Sequence, residues 1–166
     1  MLAEIPYSGD ELRLVNRGHP APLLLRGGRV RSVEPSELAL PLTLGEMGPG
    51  EGLADTVPFP PGTTLLLYTD GLTEARDRAG AFYEPGNRLT GRDFSGPDAL
   101  LDALLTDVRH HTGGRITDDM ALLAVTRSGG NGGERGDWRD LTRAPIRALA
   151  RARERLTCLW CRGEGR

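Results

Sequence analysis

Polar and apolar residues follow strand-like patterns over most of the chain and a helical pattern over one stretch. "ELRLVN" (11–16) alternates and suits a half-buried strand. "PLLLRGGRVRSV" (22–33) holds two β-like runs around Gly27-Gly28, a strong two-residue hairpin signal. In "LADTVPFPPGTTLLLYTD" (53–70) a second turn falls at Pro60-Pro61-Gly62. The run from Thr63 to Thr69 is apolar enough for a strand buried on both faces. That run stops abruptly on Asp70, followed by Gly71 and the polar "LTEARD". One long helix is predicted, "GPDALLDALLTDVRHHTGG" (96–114). Pro97 suits its first turn and Asp98 places negative charge there. Leu100, Leu101, Leu104, Leu105 and Val108 form an apolar stripe, His110 and His111 approach its negative end, and Gly113-Gly114 stops it. "DDMALLAVTR" (118–127) returns as a buried strand. The fold class predicted is α+β with mostly antiparallel sheet.

Charge divides the chain near residue 127. Up to Arg127 there are 12 arginines against 18 carboxylates, a net of −6. From Ser128 onward 9 arginines face 5 carboxylates, a net of +4. The junction "SGGNGGERGD" (128–137) is Gly-rich and polar and reads as a flexible linker. Residues 138–166 form an Arg-rich tail, expected to be disordered or weakly helical, with Pro145 as a possible helix start. All 21 basic residues are arginine, which reads as codon bias and not as chemistry. Aromatics make up only 5% of the chain, so the core is expected to be aliphatic.

Composition also narrows the function classes. No apolar stretch approaches the roughly 20 residues of a membrane span, and no signal peptide is evident, so no membrane partner and a cytoplasmic location are expected. The acidic body repels phosphate backbones, which disfavours nucleic acid as a partner. "CLWC" (158–161) has no second cysteine pair and does not read as a zinc site, which wants four ligands.

The acids at the strand ends carry the candidate chemistry. Asp70 closes one apolar strand, and Asp118-Asp119 open another. Carboxylates that converge from strand ends suit Mg²⁺ or Mn²⁺ better than zinc. Gly71 is expected to let the backbone turn sharply beside Asp70. By spacing alone these acids read first as turn or cap residues. His19 lies in a Gly-His-Pro turn and reads first as structural, with a place near the site as the alternative. His110-His111 reads as a helix C-terminal pair, and Glu74 to Arg78 as a solvated segment.

Three ordered segments sharpen this picture: "NRGHPAPLLLRGG" (16–28), "PPGTTLLLYTDGLTEARDRAGAFY" (60–83) and "TDDMALLAVTR" (117–127). Together they resemble the bacterial branch of the protein phosphatase 2C superfamily, typified by the stage II sporulation E phosphatase. The resemblance covers residues 2–127. It implies part of a four-layer α/β/β/α antiparallel sandwich with a two-metal centre, Mg²⁺ or Mn²⁺, between the sheets. It also implies hydrolysis of a phosphoserine or phosphothreonine by metal-activated water. By position Asp70 and Asp118 are implied as metal ligands, Asp119 as their neighbour, and Gly71 and His19 as near the site. The partner implied is a phosphorylated protein, such as an anti-sigma-factor antagonist.

The family carries an earlier segment, Asp-Val-x-Gly-His-Gly, whose Asp bridges the two metals, and residues 1–14 contain nothing of that form. The amino-terminal half of the domain is therefore expected to be absent, the metal site incomplete, and p-nitrophenyl phosphate turnover negligible. A half sandwich is also expected to expose apolar faces and sheet edges. The alternative function is a catalytically incompetent truncated phosphatase, serving as a binding module or persisting as a remnant. Oligomeric state is left open.

Overall fold

The computed structural model describes residues 1–6, 9–36, 54–115 and 118–128, together with the backbone of 154–161. Its strands are β1 (Leu2–Glu4), β2 (Glu11–Val15), β3 (Leu23–Arg26), β4 (Arg29–Ser32), β5 (Asp55–Pro58), β6 (Thr64–Tyr68), β7 (Met120–Arg127) and β8 (Glu154–Cys161). Three helices, α1 (Asp70–Thr73), α2 (Pro85–Leu89) and α3 (Pro97–Thr112), lie between β6 and β7. The strands form two antiparallel sheets, ordered β1-β2-β5 and β4-β3-β6-β7-β8.

The predicted hairpin is present, with β3 and β4 joined at Gly27 and Gly28. Both glycines have positive φ, 53° and 70°, the conformation a two-residue turn between twisted strands demands. The turn at residues 60–62 does something different from closing a hairpin. β5 pairs with β2 in one sheet, whereas β6 pairs with β3 and β7 in the other. The diproline segment thus carries the chain across the sandwich.

Period-two alternation along β3 and β6 explains the layering. Leu23, Leu25, Leu66 and Tyr68 join the cluster beneath α3, while Leu24 and Leu65 join Leu12, Leu14, Val57 and Phe59 between the sheets. β6 is therefore buried on both faces, as its continuous apolar run predicts. The described residues make three layers: helices, the larger sheet and the smaller sheet. Against the expectation of exposed apolar faces, the exposed large hydrophobics among the described residues are Leu2 and Phe82.

α3 matches its prediction closely. Gly113 is left-handed (φ 63°), and Gly113 and Gly114 N–H return to the carbonyls of His110 and Arg109. Its leucine stripe packs on the larger sheet, each buried leucine contributing roughly 1.5–3 kcal/mol relative to exposure. Helix α2 and strand β1 are short and carry no periodic signal long enough to read from sequence.

The tail requires a correction. Residues Glu154–Cys161 are neither disordered nor helical but pair with β7 along its whole length, Met120 opposite Cys161 and Arg127 opposite Glu154. "ERLTCLWC" is rich in residues that suit a pleated surface, and β7 offers a free edge with eight residues of ladder. The linker beyond Ser128, the Pro145 helix start and the rest of the tail lie outside the described residues. No described helix is long and apolar enough to cross a membrane.

Candidate functional site

Adjacent strands deliver the predicted acids to one end of the larger sheet. β6 ends at Tyr68, opposite Leu122 of β7, and Thr69 N–H continues the ladder to the Ala121 carbonyl. The Thr69 hydroxyl accepts the Ala121 N–H at 3.1 Å and lies 3.4 Å from the Asp119 carbonyl. Sequence reading assigned no role to Thr69. Here it staples the two acid-bearing segments together, a tertiary contact that leaves no local signal.

Asp70 does not end the strand but opens α1, where a carboxylate is favoured at the first turn. Its Oδ1 accepts the Gly71 N–H at 3.0 Å. Asp118 Oδ1 likewise accepts the Asp119 N–H at 2.8 Å. All three aspartates, 70, 118 and 119, are exposed. Gly71 itself is buried, and the reason for glycine is not the one expected. Its φ is not positive, so the turn alone does not require it. A Cβ at this position would meet the Asp119 carbonyl oxygen at 2.5 Å. Glycine is needed for the close approach of α1 to the start of β7, which brings Asp70 and Asp118-Asp119 onto neighbouring segments.

His19 is held within its own turn. Its N–H is accepted by Asn16 Oδ1 at 3.1 Å, Asn16 Nδ2 donates back to its carbonyl at 3.0 Å, and its Nδ1 lies 3.2 Å from the Met1 amino group. The Gly-His-Pro turn is thus a structural loop, and Tyr68 Oη ties it to the end of β6 through the Ala21 carbonyl at 2.8 Å. Burial, and then the negative charge of Glu34, raise the Tyr68 hydroxyl above its ordinary pKa, so it remains a donor.

A cleft of about 470 Å³ opens beside the acids, lined by Gly71, Asp118, Glu74 and Asp77, and by Arg76, Arg78 and Arg115. The segment from Glu74 to Arg78 is more ordered than a solvated run. Asp77 Oδ1 accepts the N–H groups of Ala79 and Ala81 at 2.8 and 2.9 Å. Arg76 stacks 3.9 Å over Phe82. The Ala81 amide, more than any other group, holds the Asp77 carboxyl below its usual range, assisted by Ala79 and by His111. Because this folded-state pKa is depressed, the bonds stabilise the loop above about pH 4 and are lost as pH falls through the lowered value. An NMR pH titration is expected to show the Ala79 and Ala81 amides moving only below the normal aspartate range; movement centred at or above it would contradict this.

His111 is more than a helix-end charge. Its Nε2 lies 3.1 Å from the Ala81 carbonyl and its ring packs edge-on to Tyr83. Tyr83 in turn donates to Asp107 at 2.7 Å, and burial followed by this bond pushes its hydroxyl pKa up. This network fastens the 81–83 segment to α3 on the far side of the cleft.

The donors suit a hard divalent cation in kind, being carboxylate oxygens. In number they fall short: among the described residues, no three of His, Cys, Asp and Glu are grouped to hold a metal ion. Asp70, Asp118 and Asp119 thus share a neighbourhood without forming a complete ligand set.

Comparison with known proteins identifies the fold and the family. The family model for stage II sporulation protein E (SpoIIE) matches residues 1–128. Protein IcfG of Synechocystis sp. (strain ATCC 27184 / PCC 6803 / Kazusa) is 28% identical over 131 residues, 75% of this chain and 20% of that protein. The chain therefore spans about a fifth of the length of this relative. The phosphatase domain of the cell fate determinant SpoIIE from Bacillus subtilis, presoaked with Mn, superposes with a TM-score of 0.60 at 19% identity. That match covers 80% of this chain and 58% of the other. A second structure of the same domain gives 0.59 at 20% identity, covering 80% and 59%. The two antiparallel sheets and their helices are part of that phosphatase fold, and the chain belongs to the stage II sporulation protein E (SpoIIE) family.

Proposed function

We propose that the chain carries one wall of a metal-dependent serine/threonine protein phosphatase centre, with Asp70, Asp118 and Asp119 directed to Mg²⁺ or Mn²⁺. The observation that carries this reading is the glycine-enforced approach of α1 to β7, which sets two acid-bearing segments side by side at one sheet end. The Mn-presoaked phosphatase domain supports the choice of ion class. Such an ion, when bound, supplies the charge that activates water and neutralises phosphoryl oxygens. This chain's own part is positional: Thr69 and Gly71 fix the carboxylate-bearing segments, and the cleft beside them receives the substrate. The substrate proposed is a phosphorylated protein such as an anti-sigma-factor antagonist, and the setting the cytoplasm.

In a Mn²⁺ titration of ¹⁵N-labelled protein, paramagnetic broadening is expected at residues 69–73 and 118–121. Asp70→Asn and Asp118→Asn are each expected to weaken it by about tenfold, equivalent to ~1.4 kcal/mol. Broadening that ignores both substitutions would remove the assignment.

One observation favours a second reading, a phosphoprotein-binding module without turnover: the described residues supply no three-donor group. Under it the 166-residue chain shows negligible Mn²⁺-dependent hydrolysis of p-nitrophenyl phosphate. Robust hydrolysis that disappears in Asp70→Ala would set that reading aside.

A further inference from the structure

The cleft beside the acids brings together Arg76 and Arg78, from the loop after α1, and Arg115, from just beyond α3. Arg78 lies across the end of α3, its Nε 3.5 Å from where a Gly113 Cβ would stand. Arg76 is held by the Phe82 ring and by the Gly80 carbonyl at 3.4 Å. Three carboxylates share the cleft, yet none of these arginines is paired with them. The salt bridges among the described residues join Arg13 to Glu4 and Arg88 to Asp107. Asp77 is instead occupied by its own loop's amides.

We propose that Arg76, Arg78 and Arg115 form the recognition site for the phosphoryl group of a phosphoserine or phosphothreonine side chain. The inference rests on the phosphatase reading, because it locates the substrate of that same site. Four observations support it. Guanidinium groups present planar N–H forks that match phosphate oxygens, and forks in a cleft that no carboxylate engages retain that capacity. A phosphomonoester carries a charge of about −1.5 to −2 and three acceptor oxygens, enough to engage more than one fork. Gly71 and Asp118 line the same cleft, so an anion held by the arginines lies beside the acid-bearing wall. The body's net charge of −6 up to Arg127 works against extended polyanions such as nucleic acid while leaving room for one local anion.

The arginines are contributed by separate elements, and in sequence each is one basic residue in a charged run. Their convergence follows from the Tyr83–Asp107 and His111–Ala81 contacts, which lock the 74–83 loop against α3. Arg78 and Arg115 also face the negative end of the α3 dipole. A purely capping role would therefore alter stability and leave phosphate recognition untouched.

The test is an NMR titration of the full chain, without metal, using a short peptide carrying one phosphoserine and its unphosphorylated twin. The phosphopeptide is expected to shift amides of residues 74–78, 112–115 and 118, and the twin to leave them in place. Arg78→Ala/Arg115→Ala is expected to weaken phosphopeptide binding about tenfold or more, with dispersed spectra confirming the fold. Arg78→Lys/Arg115→Lys is expected to recover part of it, since lysine keeps charge and loses the fork. Equal binding of the two peptides, or wild-type phosphopeptide affinity in the double alanine variant, would overturn the inference. Failure of the phosphatase reading shows separately, as Mn²⁺ broadening that bypasses Asp70 and Asp118 while phosphopeptide binding still requires the arginines.

Discussion

Gly71→Ala is expected to destabilise the protein by about 1–3 kcal/mol and to disorganise the acid-bearing end of the larger sheet, although it adds a single methyl group. The Cβ would stand 2.5 Å from the Asp119 carbonyl oxygen and 3.1 Å from its carbon. Both are backbone atoms at the start of β7, so no flexible side chain can swing aside. Either α1 lifts away or β7 shifts, and the Thr69 bond to the Ala121 N–H is strained in both cases. Loss of backbone freedom in the unfolded chain would by itself make alanine favourable in this helical position, by about 0.4–1 kcal/mol. The steric term opposes it and is larger. Thermal or urea unfolding checks the sign, and amide shifts at residues 119–121 check the location. A variant as stable as wild type with unchanged shifts would show that the approach is looser than the structure has it.

The same residue shows how far the sequence could be read. Gly71 attracts notice because it follows a strand-ending acid, and local reasoning supplies a local cause, a tight turn. The actual cause is a contact with Asp119, far along the chain, which no spacing rule reveals. Period-two and helical patterns were legible because they depend on each segment's own burial: hence the β3–β4 hairpin, the doubly buried β6, and α3 with its glycine stop. Contacts between segments were not. Pro60-Pro61-Gly62 was legible as a turn, but not that it passes between sheets, because β5 finds its partner in β2. β8 was missed since its pairing edge is provided by β7. For the site, Asp70, Asp118 and Asp119 were legible as acids at the ends of strand-like runs, whereas Thr69, Arg78 and Arg115 acquire their positions only in the folded chain.

Leu65→Ala and Leu66→Ala are each expected to cost about 2–5 kcal/mol, and to do so in different parts of the molecule. Both side chains are 0% exposed and adjacent in β6, so burial does not distinguish them. The pleat does. Leu66 points into the cluster with Leu100, Leu101 and Leu104 of α3, and Leu65 into the one with Leu12, Leu14 and Phe59 of the other sheet. Hydrogen exchange should report the difference. Leu66→Ala is expected to raise exchange chiefly in α3, beneath which the cavity opens. Leu65→Ala should raise it in β2 and β5, which the inter-sheet core holds against the larger sheet. The first outcome bears on function as well, because α3 carries part of the wall of the arginine cleft whereas β2 and β5 do not. Leu66→Ala should therefore weaken phosphopeptide binding more than Leu65→Ala at equal loss of stability. Identical exchange patterns in the two variants would mean that the two cores open as one cooperative unit, with no separation of site from scaffold.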